Sequence, residues 1–190
     1  FLGHLKNGLV DTNQALNIWF KHQETKNKEG LYVENKQILA SPVTNGYRNK
    51  CDFVIGINPE TKLTTVGFLI EQSTSFVGPV GHLSHISEGM KYVALELEKY
   101  CQASEISPFD LSSGEGYWMG ATIRQSKYGE IMLNVAFHPQ DLSKLQIKSV
   151  KDKLRAYFTS GPGVVCRISS LFFTTRKQWE SGETENIYGT

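Results

Sequence analysis

Tyr47-Arg48-Asn49-Lys50-Cys51-Asp52-Phe53-Val54-Ile55-Gly56-Ile57 opens with two cations and a carboxylate at alternating positions and closes on an apolar run. In a β-strand, successive side chains point to opposite faces. Arg48, Lys50 and Asp52 therefore point one way, and Cys51, Phe53, Ile55 and Ile57 the other. One face can pack and the other can hold a polar, anionic partner, for which nucleic acid is the candidate. The turn cluster Asn58-Pro59-Glu60-Thr61-Lys62 and a returning strand over 63–70, with Val66, Phe68 and Ile70 on one face, make this a hairpin.

The rest follows the same logic. Asp11 or Thr12 can cap a helix carrying Ala15, Leu16, Trp19 and Phe20, and residues 31–46 read as irregular. A short strand fits around Phe76-Val77. Ser87 begins a helix with Met90, Val93, Ala94, Leu97, Tyr100 and Cys101 at helical spacing. Residues 102–116 form a Ser-, Asp- and Gly-rich loop. Strands over 117–125 and 130–138 flank Tyr128-Gly129. Ser143 and Gln146 suggest a capping box ahead of Ile147, Val150, Leu154 and Phe158, and Gly161-Pro162-Gly163 ends that helix. Residues 164–173 read as a final strand and 176–190 as a loose polar tail. The expected fold is α+β, with antiparallel hairpins packed against about three helices. Its expected divisions are a lead-in over 1–46, a central domain over 47–175 and the tail.

Composition narrows the function. A chain of 190 residues with 39% hydrophobic content can bury a core. A net charge of +1 requires any basic face to be local. No apolar run approaches the ~18 residues of a membrane span. Cys51, Cys101 and Cys166 are widely separated, and the pair His82/His85 lacks a third ligand, so neither a metal site nor disulfides are expected. Strand alternation sends Cys51 into the core. Sequence motifs for a nucleophile elbow, a P-loop, a zinc protease or a dinucleotide-binding turn are missing.

Alternation in the second hairpin sets Trp118, Gly120, Thr122 and Arg124 opposite Ala121 and Ile123. It also sets Met132, Asn134, Ala136 and His138 opposite Ile131, Leu133, Val135 and Phe137. If both hairpins share a surface, Arg48, Lys50, Asp52, Trp118, Arg124, Asn134 and His138 form one polar face. Cations interleaved with flat rings suit unpaired RNA, because phosphates take the cations and splayed bases stack on the rings. Each residue also has a plainer reading. Trp118 at a strand start can pack, His138 before Pro139 can bond a backbone carbonyl, and Arg48 with Asp52 can be a cross-strand pair. The basic stripe Lys144, Lys148, Lys151, Arg155 can be simply solvated.

The segment Tyr47 to Phe53 resembles the Tyr-Arg-Asn-Lys-Cys segment of the RNA 5-methyluridine methyltransferase family, in its eukaryotic tRNA (uracil-5-)-methyltransferase branch of the homolog A kind. Thr122-Ile123-Arg124-Gln125-Ser126 and Ala136-Phe137-His138-Pro139-Gln140-Asp141-Leu142-Ser143 resemble it too. Thr12-Asn13-Gln14-Ala15-Leu16 and Ser160-Gly161-Pro162-Gly163 fit in order. The resemblance spans nearly the whole chain and matches the central part of such enzymes. It implies methylation of uridine C5 in the tRNA T loop with S-adenosylmethionine. The cofactor-binding segment and the catalytic Cys would lie after Thr190, and an RNA-recognition motif before Phe1. This chain is then expected to be non-catalytic alone, with no cofactor or metal of its own. Its expected partners are the tRNA T arm and the catalytic domain of the same protein, in the cytoplasm or nucleus. The resemblance implies tRNA contacts at Asp52, loosely at Trp118, and at His138. A bacterial Arg of that motif is Val54 here, and the iron–sulfur cysteines of the related ribosomal RNA enzymes are missing, which favours the tRNA branch. The alternative expectation is an intramolecular scaffold that docks the catalytic domain through helices 87–101 or 143–158 without touching RNA.

Overall fold

A computed structural model describes residues 2–26, 36–70, 73, 76–177 and 182–189. The chain divides into two compact units, residues 1–42 and 43–190.

The first unit carries helices α1 (Leu2–Thr12) and α2 (Leu16–Lys26). The expected single helix capped by Asp11 or Thr12 is corrected to two. The Thr12 hydroxyl turns back to the Leu9 carbonyl at 2.9 Å and closes α1. The Asn13 side chain then accepts from the Ala15 amide at 3.1 Å, so that α2 starts at Leu16. Lys6 and Glu24 tie the two helices at 2.9 Å, and Phe20 is buried. Of the stretch expected to be irregular, residues 31–35 lie outside the described residues.

The second unit is one seven-stranded sheet with helices on one face. Its strands are β1 (Lys50–Ile57), β2 (Thr64–Leu69), β3 (Val77–Pro79), β4 (Trp118–Gln125), β5 (Ile131–Phe137), β6 (Ile168–Thr175) and β7 (Glu183–Gly189). Their order in space is β3-β2-β1-β4-β5-β6-β7. Helix α3 (Glu88–Ala103) follows β3 and helix α4 (Lys144–Thr159) follows β5. The first hairpin turns on Asn58, whose side-chain oxygen accepts the Glu60 amide at 2.8 Å. Ser87 caps α3, and Ser143 with Gln146 forms the full capping box of α4. Alternate residues of the strands, among them Phe53, Ile55, Ile123, Leu133, Val135, Leu171 and Phe173, bury against Met90, Val93 and Leu97 of α3 and Val150, Leu154 and Phe158 of α4. The α+β class stands, with four described helices and a mixed sheet.

Three expectations about the sheet are corrected. The β5–β6 pair is parallel, because α4 carries the chain back to the starting end of the sheet before β6 begins. The last predicted strand starts later than residue 164: Pro162–Cys166 is a 3-10 turn, and β6 begins at Ile168. The tail is not loose over Glu183–Gly189. These residues pair antiparallel with β6, and Lys151 of α4 forms an ion pair with Glu185.

As an edge strand, β7 satisfies only the backbone groups that face β6. In a hydrogen-exchange experiment, alternate amides of Glu183–Gly189 should exchange slowly. Uniformly fast exchange along the segment would remove β7 from the sheet.

Candidate nucleic-acid interface

The sheet face opposite α3 and α4 carries the polar residues. Cross-strand register puts them in rows. Lys50, Arg124 and Met132 are neighbours across β1, β4 and β5. The next row runs Asp52, Thr122, Asn134, Phe172 and Asn186, and the one after it Val54, Gly120, Ala136, Thr174 and Thr184. Two shallow depressions mark this face. One, of about 490 Å³, is lined by Lys50, Thr122, Arg124, Met132, Asn134, Phe172 and Thr184. The other, of about 300 Å³, includes Asp52, Thr122, Gly120, Asn134, Ala136, Thr174 and Arg176.

The structure thus brings together Lys50, Asp52, Arg124 and Asn134 of the expected set. Lys50 and Arg124 stand directly opposite each other, a repulsive arrangement for like charges. Asp52 relieves it: one carboxylate oxygen takes Lys50 at 2.7 Å and the other accepts the Thr122 hydroxyl at 2.6 Å. Partial burial would raise this carboxyl, but the bonds from Lys50 and Thr122 and the field of Arg124 outweigh it and hold the group below its ordinary value. The Lys50–Asp52 pair is exposed, so it contributes about 0–1 kcal/mol and can yield to a stronger partner. Arg124 makes no ion pair among the described residues. Asn134 accepts the Thr174 hydroxyl at 2.9 Å through its oxygen, which leaves its amide nitrogen facing the depression edge without a described partner. Arg48 lies apart: it precedes β1, bridges to Ile86 through its backbone, and lines neither depression.

Trp118 is corrected. It is fully buried on the helix side, with its ring 5.0 Å from Phe137 and 5.9 Å from Tyr100. Its indole nitrogen donates to Ser104 at 3.2 Å. The cause is a register shift between Trp118 and Gly120, where Met119 is the extra residue. Such a bulge reverses the side-chain alternation behind it. A base cannot stack on Trp118.

His138 does have an exposed-side aromatic partner, Phe109, which sequence reasoning missed. The two rings stack at 4.8 Å with 17° between planes. Both residues hang on the same strand end: the Phe109 amide donates to the Trp118 carbonyl at 2.8 Å, and the His138 amide to the Tyr117 carbonyl at 2.7 Å. Gln140 steadies the loop through Gly114 and Gly116, each 2.8 Å from its side-chain nitrogen. Gly116 sits at φ +91°, and a Cβ there would meet the Pro108 carbonyl at 2.0 Å. The one signal for Phe109 was an aromatic after Pro108 in an otherwise small, polar loop. His138 Nδ1 accepts the Gln140 amide at 3.1 Å, which needs that nitrogen unprotonated. Burial, and then the charge of Lys177, push the imidazole below its ordinary value. At neutral pH His138 is a ring and not a cation.

Covalent chemistry finds little support in these residues. All three cysteines are buried, and burial raises each thiol, Cys166 to about 11. No group of three or more His, Cys, Asp or Glu that could hold a metal exists among the described residues. No described helix is long and apolar enough to cross a membrane. Among the described residues, the parallel strand–helix–strand unit β5-α4-β6 joins strand to helix through His138-Pro139-Gln140-Asp141-Leu142, which has no glycine to let a ligand approach the backbone. The basic stripe on α4 is largely paired, Lys148 and Arg155 with Asp152 and Lys151 with Glu185.

The comparisons with known proteins point in one direction. No protein-family model matches the chain. The mouse tRNA (uracil-5-)-methyltransferase homolog B is 34% identical over 175 residues, which is 90% of this chain and 34% of that protein. The human tRNA (uracil-5-)-methyltransferase homolog A is 30% identical over 190 residues, 98% of this chain and 30% of that protein. These are homologues over nearly all of the chain, and the chain spans about a third of their length. The fold also matches the crystal structure of Pyrococcus abyssi tRNA (uracil-54, C5)-methyltransferase in complex with S-adenosyl-L-homocysteine. The TM-score is 0.57 at 17% identity, covering 92% of this chain and 38% of that one.

Two outcomes check this geometry. Trp118→Ala should cost about 3–5 kcal/mol of unfolding free energy in urea, the price of an emptied core aromatic site. An unchanged midpoint would return Trp118 to the surface. In an NMR titration, His138 should protonate below its ordinary value of about 6.5, and Lys177→Ala should raise that midpoint only partway, since burial is the larger cause. Because the folded value is depressed, the stability held by neutral His138 is complete above the ordinary value and is lost as pH falls toward the folded one.

Proposed function

We propose that this chain is the RNA-binding, substrate-positioning part of an S-adenosylmethionine-dependent tRNA (uracil-5-)-methyltransferase that makes 5-methyluridine in the tRNA T loop. The observation that carries the reading is the sheet face without helices, where the cationic Arg124 lies unpaired in the wall of a depression and the Phe109–His138 ring stack closes the end of the hairpin. Homologues that bear the methyltransferase name over the same residues supply the substrate class.

The physical logic is that of base extrusion. Uridine in a folded loop is stacked and out of reach, so a modifying enzyme must open the loop and keep it open. Arg124, with Lys50 released from Asp52 and with Arg48 beyond the sheet end, would take backbone phosphates. Asp52 and Asn134 would meet base edges or ribose hydroxyls. The Phe109 and His138 rings would replace stacking that neighbouring bases lose. Trp118 supports this hairpin from below and is no part of the contact surface. The methyl donor and the nucleophile would come from a separate catalytic domain of the same protein.

The test is binding of the 190-residue chain to a T-arm RNA hairpin at two salt concentrations. Arg124→Ala should weaken binding and flatten the salt dependence by about 0.7–1 in log–log slope. Phe109→Ala and His138→Ala should each cost about 1–3 kcal/mol with the slope unchanged, because both act as neutral rings. A folded chain that does not bind the hairpin would instead be the docking scaffold, using exposed apolar side chains such as Tyr92 and Leu95 of α3.

A further inference from the structure

The smaller depression holds an unexplained group. Arg176 follows β6, and its backbone amide donates to the Phe137 carbonyl at 3.0 Å, which pins it to the end of β5. Its side chain forms part of the wall, and its Nε is buried with no hydrogen-bond partner. It makes no ion pair among the described residues. A buried N–H of a permanently charged guanidinium that lacks an acceptor is costly and calls for a partner.

The shape of the depression says what that partner is. Its floor is where Gly120 of β4 faces Ala136 of β5, so two neighbouring strands present almost no side chain. Gly120 is fixed by packing: a Cβ there would stand 2.4 Å from the Phe53 carbonyl. The result is a low floor in a depression of about 300 Å³, with Val54 and Met119 also in its lining. Around it stand donors and acceptors: Arg176 and the free amide nitrogen of Asn134 can donate, and the Asp52 carboxylate and the hydroxyl oxygens of Thr122 and Thr174, whose protons go to Asp52 and Asn134, can accept. Asp52 is held by Lys50 and Thr122 in the free chain and makes no ion pair with Arg176. A low floor, a polar rim and one uncompensated guanidinium at the edge match a planar base attached to a phosphate.

We infer that this depression seats one unpaired nucleotide of the bound RNA, with its base over Gly120 and Ala136 and its phosphate held by Arg176 at the edge. A guanidinium offers phosphate oxygens a planar fork of N–H groups that a single ammonium lacks. Asn134 donates to the base edge. This inference rests on the RNA-binding reading and adds a further phosphate anchor, separate from Arg124 and on the far side of Asp52.

The experiment uses T-arm hairpins carrying one uncharged methylphosphonate linkage, moved through every loop position. The probes are the wild-type chain, Arg176→Lys, Arg176→Gln and Ala136→Leu. Wild type should lose about tenfold in affinity at one position beyond the general charge effect. Both Arg176 variants should bind unmodified RNA about tenfold more weakly and show no further loss at that position. Lysine should not rescue, because it lacks the fork. Ala136→Leu, which fills the floor without touching the guanidinium, should also weaken binding while the melting temperature holds. Arg176 variants that bind as tightly as wild type, or an Ala136→Leu chain with full affinity, would overturn the subsite while leaving the RNA reading intact. A folded wild-type chain that binds none of the hairpins would remove the RNA reading itself.

Discussion

The bulge at Met119 is the constraint on which the site depends. One extra residue in β4 turns Trp118 under the sheet, where its ring packs on Tyr100 and Phe137 and its indole nitrogen anchors Ser104. That anchor holds the start of the loop between α3 and β4 against the core. The loop then runs beside the β4 end through the Phe109–Trp118 and Tyr117–Ser107 backbone bonds, which delivers Phe109 to His138. On the other face the same bulge places Gly120 beside Ala136 and opens the low floor between strands. A buried aromatic, a half-buried ring pair and a shallow depression thus share one backbone irregularity. Without it, Trp118 would sit on the open face and the core would lose its largest side chain.

Charge on the open face is arranged by commitment more than by number. The chain as a whole is nearly neutral, at +1. Within the sheet, Asp52 commits both oxygens to Lys50 and Thr122, and Asp152 of α4 with Glu185 of β7 absorbs most of the basic stripe on α4. Arg124 and Arg176 keep their charges unpaired on the open face. Surface pairs such as Lys50–Asp52 are weak and exchangeable, whereas a guanidinium whose Nε is already desolvated has paid part of the cost of binding in advance.

Much of this fold was legible from period and punctuation. Alternation from Lys50 to Ile57 and from Ile131 to Phe137 gave the correct faces, because both strands pack one side on helices and leave the other open. Ser87 and the Ser143/Gln146 box marked helix starts because the capping groups are local. What failed was non-local. Trp118 was set on the wrong face because a bulge leaves no reliable trace in a single strand's pattern. The parallel β5–β6 pairing and the β7 strand depend on where α4 returns the chain, which no window of residues encodes. Phe109 stands in a loop of otherwise small and polar residues, and Arg176 in a polar stretch beyond the last apolar run, so neither carries a periodic signal.

The arrangement also assigns a division of labour under the proposed function. A thiolate that adds to a pyrimidine must be accessible and readily ionised. Cys51, Cys101 and Cys166 are neither: each is enclosed by the same core that flattens the sheet, and each thiol is raised by burial. Making one of them reactive would require opening that core. The open face, by contrast, offers groups that bind without reacting: guanidiniums, a carboxylate held ionised, an amide and neutral rings. Under the proposed function such a surface would grip a nucleic acid by phosphate and stacking and would lower the barrier to chemistry done elsewhere only by fixing geometry, a positional contribution to catalysis.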